Sequence, residues 1–437
     1  MTDMPPPIVL NAGQQAAADG FFEFLFTEEK MMIISGPGGV GKTLLLGVMI
    51  DEILPMYFES CAITGIASEF NEVVMTATTN AAAEQLGAAS GKATETIQSF
   101  LNLTVKDDYT TGRSKLTKTN NWIVHQNKII FIDEAFMIDS PLLEQIEQGT
   151  HKCKIIFVGD HCQLAPVMER VSPITQLKVP FFELTEPMRN AEQPALMHLC
   201  KQLRETVETG VFKPIQIVPG VIDHLTDEQF QNLLDTNFLT EVDALEHRIG
   251  AYTNERVVDY NDYVRQLRSL GAAYSPGEKL INNSAIRMKN GMLSVETEVE
   301  IVGQSEVTEH LEIEPDVTME VRKMDLKTKY GNVYTDIFVP VDRGHFNDLL
   351  KFYKKAKNWN RYYYLKNNFP DLRPRSAATL HKLQGSSVPN IYIDLTNLST
   401  CRDPDQVARL LYVGASRARQ RIFLYGTLAD KFGGLTH

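Results

Sequence analysis

The sequence predicts an α/β protein with two parallel-sheet domains, each interrupted by a smaller β insertion. Three observations support this fold class. A chain of 437 residues is too long for one hydrophobic core, so two or more domains are expected. Short runs of apolar and β-branched residues recur between helical stretches, a pattern typical of a parallel sheet that is covered on both faces. These runs form two sets, one before and one after about residue 195.

The first set predicts an N-terminal α/β domain at 1–195. The stretch MMIISGPGGVGKTLLLGVMIDEIL at 31–54 indicates a buried strand, a glycine-rich turn and a helix that begins near Lys42. Three further apolar runs end in polar or glycine residues, as expected for strands of the same sheet: EVVMTATT at 72–79, KIIFIDEA at 128–135 and KIIFVGDHCQ at 154–163.

A hairpin is predicted to project from this domain at 103–124. The turn residues TTG at 110–112 separate two polar, strand-like arms. Two aromatic residues in it, Tyr109 and Trp122, allow two interpretations: they cap a base pair at the hairpin surface, or Trp122 packs at the root of the hairpin.

The second set predicts another α/β domain, formed by 196–282 and 376–437. Its strands are RIGAYTN at 248–254, NIYIDLTN at 390–397 and RIFLYGT at 421–427. Between its two parts, residues 283–375 contain SVETEVEIV and KTKYGNVYTDIFVPV, which alternate with period two. We expect a small all-β, barrel-like insertion there.

The composition is that of a globular protein, with 43% hydrophobic and 22% charged residues. No apolar run approaches the roughly 18 residues of a membrane span, and MTDMPPPIVL does not resemble a secretory signal, so we expect a cytoplasmic protein with no membrane partner. Five scattered cysteines indicate reduced thiols. The net charge of −12 argues against a surface coated with nucleic-acid-binding residues but permits a local basic groove.

The stretch GPGGVGKT at 36–43 matches the pattern of a phosphate-binding loop in full, between a strand and a helix. Its glycines allow backbone N–H groups to surround phosphate oxygens, Lys42 adds a positive charge, and Thr43 supplies a ligand for Mg²⁺. The glycines are Gly36, Gly38, Gly39 and Gly41. The sequence therefore predicts a site for ATP and Mg²⁺.

Later strand ends carry the groups that hydrolysis needs. Asp133 is predicted to hold Mg²⁺ and Glu134 to take a proton from the attacking water. Gln163 in GDHCQLAP can sense a γ-phosphate, and Arg189 in ELTEPMR offers a guanidinium for phosphoryl charge, although a lone arginine is more often a surface ion-pair partner. A base dedicated to water favours hydrolysis over transfer to a small substrate.

The ordered set of motifs resembles superfamily 1 helicases of the 1B branch, which includes RecD-like and Dda-like enzymes. The set is GPGGVGKT, TATTNAAAEQL, IIFIDEA, GDHCQLAPV, ELTEPMR, ATLHKLQGSS and LLYVGASRAR. The resemblance implies two RecA-like domains with ATP between them, single-stranded DNA across both, and 5′-to-3′ translocation that unwinds duplex or forked DNA. It also implies a monomer that acts in replication or recombination beside single-strand-binding or replication proteins, in the host cytoplasm if a phage encodes it.

Site residues follow from the resemblance position by position. Gln14 corresponds to an adenine-contacting glutamine, Arg189 and Arg417 to γ-phosphate arginines, and Gln384 with Gly385 to residues that couple nucleotide state to DNA. The positions that correspond to DNA contacts are Thr79, Asn80, Thr379, His381 and Lys382. Three positions depart from the family pattern: Thr78 replaces a proline, Asn80 an arginine or histidine, and Ser387 a glutamate.

The stretch at 351–375 combines eight Lys/Arg residues with seven aromatic residues and one acid. Such a combination suits a sequence-tolerant grip on nucleic acid, in which each stacked base contributes roughly 1–3 kcal/mol. The alternative is structural, with the aromatic residues packing the insertion against the projecting hairpin.

Three functions are compatible with a phosphate loop. The first is an ATP-dependent DNA helicase. The second, a P-loop switch or small-molecule kinase, leaves the GDHCQLAP block and the second domain without a role. The third is a translocase that displaces bound proteins without unwinding, which the motor motifs do not exclude.

Overall fold

The computed structural model describes residues 9–166, 169–186, 193–271, 273–288, 291–329 and 331–437. The chain divides into two compact units. The first comprises the described residues up to 104 and 116–211, and the second comprises 105–115 and 212–437. Among the described residues, no helix has the length and apolar character needed to cross a membrane.

The strands of the first unit are, in chain order, β1 (Met31–Ser35), β2 (Glu72–Ala77), β3 (Thr94–Thr96), β4 (Leu103–Asp107), β5 (Ser114–Lys118), β6 (His125–Gln126), β7 (Lys128–Asp133), β8 (Thr150–His151), β9 (Lys154–Gly159) and β10 (Phe181–Glu183). The tip between β4 and β5 belongs to the second unit. The helices are α1 (Ala12–Phe24), α2 (Lys42–Val48), α3 (Leu54–Thr64), α4 (Asn80–Ser90), α5 (Ile97–Phe100), α6 (Ser140–Gln148) and α7 (Pro194–Thr209).

A parallel sheet in the order β10-β1-β9-β7-β2-β3 forms the centre of the first unit. Alternate residues of β1 enter different clusters: Met32 and Ile34 pack on one face and Ile33 on the other. The strands β7 and β9 alternate in the same way. Burial on both faces explains why these strands are continuously apolar in sequence.

The helix after the phosphate loop continues from α2 through a π-helical turn at Met49–Ile53 into α3. Pro55 lies at the start of α3. Because proline has no N–H to donate to the preceding turn, it is a physical reason for the helix to widen at this point.

The strands of the second unit are β11 (Ile215–Gln216), β12 (Ile222–Leu225), β13 (His247–Ala251), β14 (Lys279–Asn282), β15 (Ile286–Met288), β16 (Gly291–Leu293), β17 (Thr297–Glu314), β18 (Val317–Thr328), β19 (Val333–Pro340), β20 (Leu372–Pro374), β21 (Ala377–Thr379), β22 (Val388–Asp394), β23 (Ala418–Tyr425) and β24 (Leu435–Thr436). Its helices are α8 (Asp227–Asn237), α9 (Glu241–Ala244), α10 (Asn254–Leu267), α11 (Arg343–Lys355), α12 (Trp359–Asn368), α13 (Leu395–Leu398) and α14 (Pro404–Arg417).

A second parallel sheet runs in the order β12-β23-β22-β13-β21. Stacked aromatic side chains fill one face, with the rings of Tyr392 and Phe423 4.6 Å apart and those of Phe230 and Tyr425 3.9 Å apart. The sequence prediction of a second α/β sheet interrupted by an insertion matches this arrangement.

The insertion is an antiparallel sheet, β19-β18-β17-β14-β20, with two added helices. The all-β prediction was therefore wrong for α11 and α12. On α11, Phe346, Leu349 and Tyr353 follow helical spacing and are buried against β17 and β18.

The two units meet the predicted boundaries only in part. The first unit extends to 211, past the predicted end at 195, because Leu196, Leu199 and Leu203 of α7 are buried and Arg204 forms ion pairs within this unit. The predicted hairpin is formed by β4 and β5, but its tip, residues 105–115, clusters with the second unit.

Candidate nucleotide and DNA sites

The phosphate loop begins where β1 ends. The N–H of Gly36 donates to the Gly159 carbonyl over 3.0 Å, which joins the loop to β9. A Cβ at Gly36 would lie 2.6 Å from the Leu184 carbonyl oxygen, so only glycine fits there.

The loop turns through two residues with left-handed backbone conformation, Gly39 (φ 86°) and Gly41 (φ 79°). Gly41 precedes α2, whose N-terminus receives no side-chain cap. Lys42 folds back on the loop, and its Nζ donates to the carbonyls of Gly36 (2.7 Å) and Pro37 (3.0 Å). First-turn N–H groups, a lysine and the exposed Thr43 hydroxyl therefore lie at the start of one helix, which suits a phosphate.

Gln14 is fully buried in α1 and contacts the phosphate loop. Its amide nitrogen donates to the Val40 carbonyl over 3.0 Å, and its amide oxygen accepts from the Asn11 N–H in a capping box. In this structure Gln14 fixes α1 against the loop, and the adenine contact stays a prediction.

Asp133 is the last residue of β7 and Glu134 follows it, at the same sheet edge as the loop. Burial raises the pKa of Asp133, while the positive charge of Lys42 and the Glu134 N–H act in the opposite direction. That N–H donates to the Asp133 carboxylate over 2.9 Å. The carboxylate of Asp133 and the hydroxyl of Thr43 are oxygen donors, the type that Mg²⁺ prefers, so these residues fit the predicted metal.

Gln163 belongs to a buried polar network that sequence reasoning missed in part. Its side chain is 5% exposed, and its Nε2 donates to Asp160 over 3.3 Å. Arg204 on α7 forms ion pairs with Asp160 (2.6 Å) and Glu183 (2.7 Å). The network thus connects the end of β9 with β10 and α7.

His161 is part of the same network, with its Nδ1 3.4 Å from the Arg204 guanidinium. Its Nδ1 lies 2.7 Å from the Ser35 hydroxyl at the end of β1. Burial, followed by the charge of Arg204, lowers the pKa of His161. The GDHCQ block signals the position of Asp160, but nothing in the sequence pairs it with Arg204. The predicted Arg189 lies outside the described residues.

The second unit holds the other predicted nucleotide residues. Arg417 ends α14 and is 6% exposed, with its guanidinium donating to the carbonyls of Val413 (3.1 Å) and Ser386 (3.2 Å). Arg419 is exposed. Gln384 precedes Gly385, whose φ of 78° requires glycine-like freedom. Within the described chain, the Gln384 Oε1 is buried and accepts no hydrogen bond.

The predicted DNA contacts differ in exposure. Thr79 is exposed and caps α4, accepting from the Ala82 N–H, and Asn80 opens that helix half-buried. Thr379 is 5% exposed. Lys382 is half-buried and paired with Glu296 at 3.1 Å.

His381 is half-buried as well. Its Nε2 lies 3.0 Å from the Gln406 Nε2, and its ring lies beside Tyr252 with the centroids 6.0 Å apart. Burial lowers its pKa, which favours the neutral imidazole. A neutral ring contacts DNA by hydrogen bonding rather than by charge.

The hairpin tip packs on α12. The Asn367 amide donates to Asp107 over 2.9 Å, the Tyr109 and Tyr363 rings are 5.2 Å apart, and Gly112 lies against the indole of Trp359. These contacts favour the structural interpretation for the aromatic residues of 351–375.

Trp122 lies at the root of the hairpin. It is partly buried against the core of the first unit, and the Lys118 Nζ lies 3.8 Å from its ring centroid. The root interpretation is therefore confirmed for Trp122, while Tyr109 stays exposed at the tip.

Known proteins are similar to this chain over most of its length. Residues 9–214 match the model of a family described as an AAA domain, and residues 376–425 match a UvrD-like helicase C-terminal domain. The ATP-dependent DNA helicase dda of Enterobacteria phage T4 is 25% identical over 466 residues, covering 95% of this chain and 98% of the relative. These matches bear out the resemblance to superfamily 1B helicases.

Two solved structures have the same fold as this chain across nearly its whole length. A Pif1 helicase from Bacteroides, in complex with ADP-AlF3 and single-stranded DNA, matches with a TM-score of 0.51 and 12% identity over 99% of this chain and 95% of that one. A second structure, which describes DNA unwinding at forked duplex DNA by two coordinating Pif1 helicases, matches with a TM-score of 0.52 and 13% identity. This match covers 98% of this chain and 94% of that one. The prediction of two RecA-like domains is confirmed.

Proposed function

We propose that this helicase couples hydrolysis of Mg²⁺-bound ATP to 5′-to-3′ movement along single-stranded DNA, and that this movement unwinds duplex or forked DNA. The observation that carries the proposal is the arrangement at one sheet edge of the first unit. There the N-terminus of α2, which receives no side-chain cap, and Lys42 form the proposed phosphate site. Asp133 at the end of β7 is the proposed cation ligand, and Glu134 directly after it is the proposed base. The full-length similarity to a DNA helicase supports DNA as the substrate.

The residues divide the chemistry as follows. The loop N–H groups and Lys42 bind the phosphates, and Thr43 and Asp133 would hold Mg²⁺, which neutralises charge on the β- and γ-phosphates. Glu134 accepts the proton of the attacking water, and Gln163 orients that water or the γ-phosphate. Arg417 and Arg189 would stabilise the phosphoryl charge that develops in the transition state.

Movement along DNA requires that the two domains hold the DNA differently before and after ATP hydrolysis. Loss of the γ-phosphate removes the group that Arg417 would bind, and Gln384 with Gly385 would transmit this change to the DNA contacts. A hairpin in the path of the duplex then suffices to part strands, because one base-pair step costs about 1.4 kcal/mol. We further propose a cytoplasmic monomer that works beside single-strand-binding or replication proteins.

A second candidate function is translocation that displaces bound proteins without unwinding. The exposed hairpin tip and its contact with α12 favour unwinding, because a hairpin fixed in place can separate the strands of a duplex. A translocase would use the same nucleotide chemistry.

Steady-state ATP hydrolysis with and without single-stranded DNA tests the proposal, together with unwinding of duplexes that carry only a 5′ or only a 3′ tail. We expect DNA to stimulate hydrolysis and only the 5′-tailed duplex to be unwound. Lys42→Ala should abolish both activities and serves as the control for contaminating ATPase. Hydrolysis at the same rate with and without DNA would refute the proposal that the protein is a DNA motor. Unwinding of the 3′-tailed duplex in preference to the 5′-tailed one would refute the proposed 5′-to-3′ direction. Stimulated hydrolysis without unwinding would favour protein displacement.

A further inference from the structure

Thr78, the residue that replaces the family's proline, lies against the backbone of the general base. It follows β2, whose Ala77 pairs with Asp133 of β7. The Thr78 N–H donates to the Asp133 carbonyl over 3.2 Å, and its hydroxyl donates to the Glu134 carbonyl over 3.0 Å. The side chain is 8% exposed, so water does not readily replace it.

Glu134 needs such support because of its backbone conformation. Its φ of 50° and ψ of 36° are left-handed, a conformation that brings the Cβ of a residue other than glycine too close to the following carbonyl oxygen. Strained conformations at functional sites persist when surrounding contacts hold them. The Glu134 N–H donates to Asp133, and its carbonyl accepts from the Thr78 hydroxyl and from the Met137 N–H (3.1 Å), so both hydrogen-bonding groups of this residue's backbone are engaged.

The far side of Thr78 is fixed as well. The Gln98 amide on α5 donates to the Thr78 carbonyl over 3.3 Å. Thr78 therefore sits between α5 and the peptide of Glu134, directly before Thr79, which caps α4. A proline at 78 would have neither the N–H nor the hydroxyl that makes these contacts.

We propose that Thr78 is a positioning residue for ATP hydrolysis, whose hydroxyl holds Glu134 in the left-handed conformation that aims its carboxylate at the attacking water. The inference rests on the proposed function and goes beyond it by assigning a role to a side chain that is not among the residues proposed to bind nucleotide or metal. It predicts an effect on turnover and not on nucleotide binding, because Thr78 acts only through the base.

Thr78→Val removes the hydroxyl and leaves the shape of the side chain nearly unchanged, whereas Thr78→Ser retains the hydroxyl. The matched control is Thr76→Val on β2, two residues before Thr78. The Thr76 hydroxyl is also buried and also donates to a β7 carbonyl, that of Phe131, over 2.9 Å. The measurements are kcat and KM for ATP at saturating single-stranded DNA, the Kd for ADP, and Tm, all on the full chain.

We expect Thr78→Val to lower kcat about five- to tenfold, in keeping with the loss of one buried hydrogen bond. KM for ATP and Kd for ADP should stay within about twofold of wild type, Thr78→Ser should keep at least about half of kcat, and Thr76→Val should lower Tm but not kcat.

Three outcomes would overturn the inference: a wild-type kcat in Thr78→Val, an equal kcat loss in Thr76→Val, or a loss in Thr78→Ser as large as in Thr78→Val. Each presupposes an active wild-type enzyme. If the wild-type chain itself shows no DNA-stimulated hydrolysis, the proposed function fails instead, so the two failures are distinguishable.

Discussion

Arg417 and Arg419 lie two residues apart near the end of α14, yet their surroundings differ. Arg417 is buried, and carbonyls of its own unit accept from its guanidinium, whereas Arg419 is exposed. Holding a guanidinium by backbone carbonyls fixes its direction without neutralising its charge. Such a cation is suited to an anion that arrives only when nucleotide is bound.

We therefore predict that Arg417→Ala lowers kcat for ATP on the order of 10³-fold, as loss of a transition-state arginine does, while nucleotide affinity falls far less. Arg419→Ala is the control for removing one positive charge from the same segment, and it should leave kcat within about twofold. Stopped-flow binding of a fluorescent nucleotide and steady-state hydrolysis measure the two effects. Equal losses of binding and turnover in Arg417→Ala would argue against a transition-state role.

At the scale of elements, several aromatic residues of the basic stretch at 351–375 pack inside the second unit or against the hairpin tip. Tyr353 and Tyr363 are buried, and Trp359 lies against Gly112 of the tip. The lysines of this stretch alternate with the buried positions, and Lys351 has 79% of its side chain exposed. Tyr353, Trp359 and Tyr363 are thus used for packing, whereas Phe352 (60% exposed) and Tyr364 (42% exposed) lie beside lysines that remain available for phosphates.

Gly112→Ala is predicted to impair strand separation and to spare hydrolysis. A methyl group there would overlap the Trp359 indole, which displaces the tip from α12. Gly65→Ala is the matched control, because its φ of 70° is nearly that of Gly112 (68°) and nothing lies within 4 Å of the added Cβ. Both changes carry the same backbone cost of roughly 1–2 kcal/mol.

Unwinding of a 5′-tailed duplex and DNA-stimulated hydrolysis are measured side by side for the two variants. We expect Gly112→Ala to lose several-fold in unwinding at unchanged hydrolysis and Gly65→Ala to retain both. Equal unwinding by the two variants would show that the tip contact does not support strand separation.

At the scale of the whole molecule, a chain with a net charge of −12 must bind a polyanion through local basic groups. Lys382 is one predicted contact, and Glu296 pairs with it at 3.1 Å. DNA phosphate can replace that carboxylate, so binding should exchange one ion pair for another and release counterions.

We predict that affinity for single-stranded DNA falls linearly with salt on logarithmic axes, and that Lys382→Gln lowers the slope by about 0.7, the value for one phosphate contact. Lys323→Gln is the control, since Lys323 is also ion-paired, with Glu309 at 2.9 Å, and has no predicted DNA contact. Fluorescence anisotropy with a labelled oligonucleotide between about 50 and 200 mM salt gives both slopes. An unchanged slope for Lys382→Gln would remove this residue from the DNA contacts.

By itself, the sequence determined the features that depend on local pattern. The strands β1, β7 and β9 are continuously apolar because both of their faces are buried, and the phosphate loop needs its glycines for left-handed turns, so both were predictable. The order of the motifs was sufficient to indicate the helicase family.

Tertiary structure alone decided the partners of polar side chains. Nothing in a linear pattern pairs Arg204 with Asp160, His161 with Ser35, or Thr78 with the Glu134 carbonyl, because these residues are 44 or more positions apart. The boundary at 211 and the placement of the hairpin tip have the same cause. Burial and long-range hydrogen bonding depend on which surfaces the folded chain brings together, and a period of two or 3.6 residues contains no information about that.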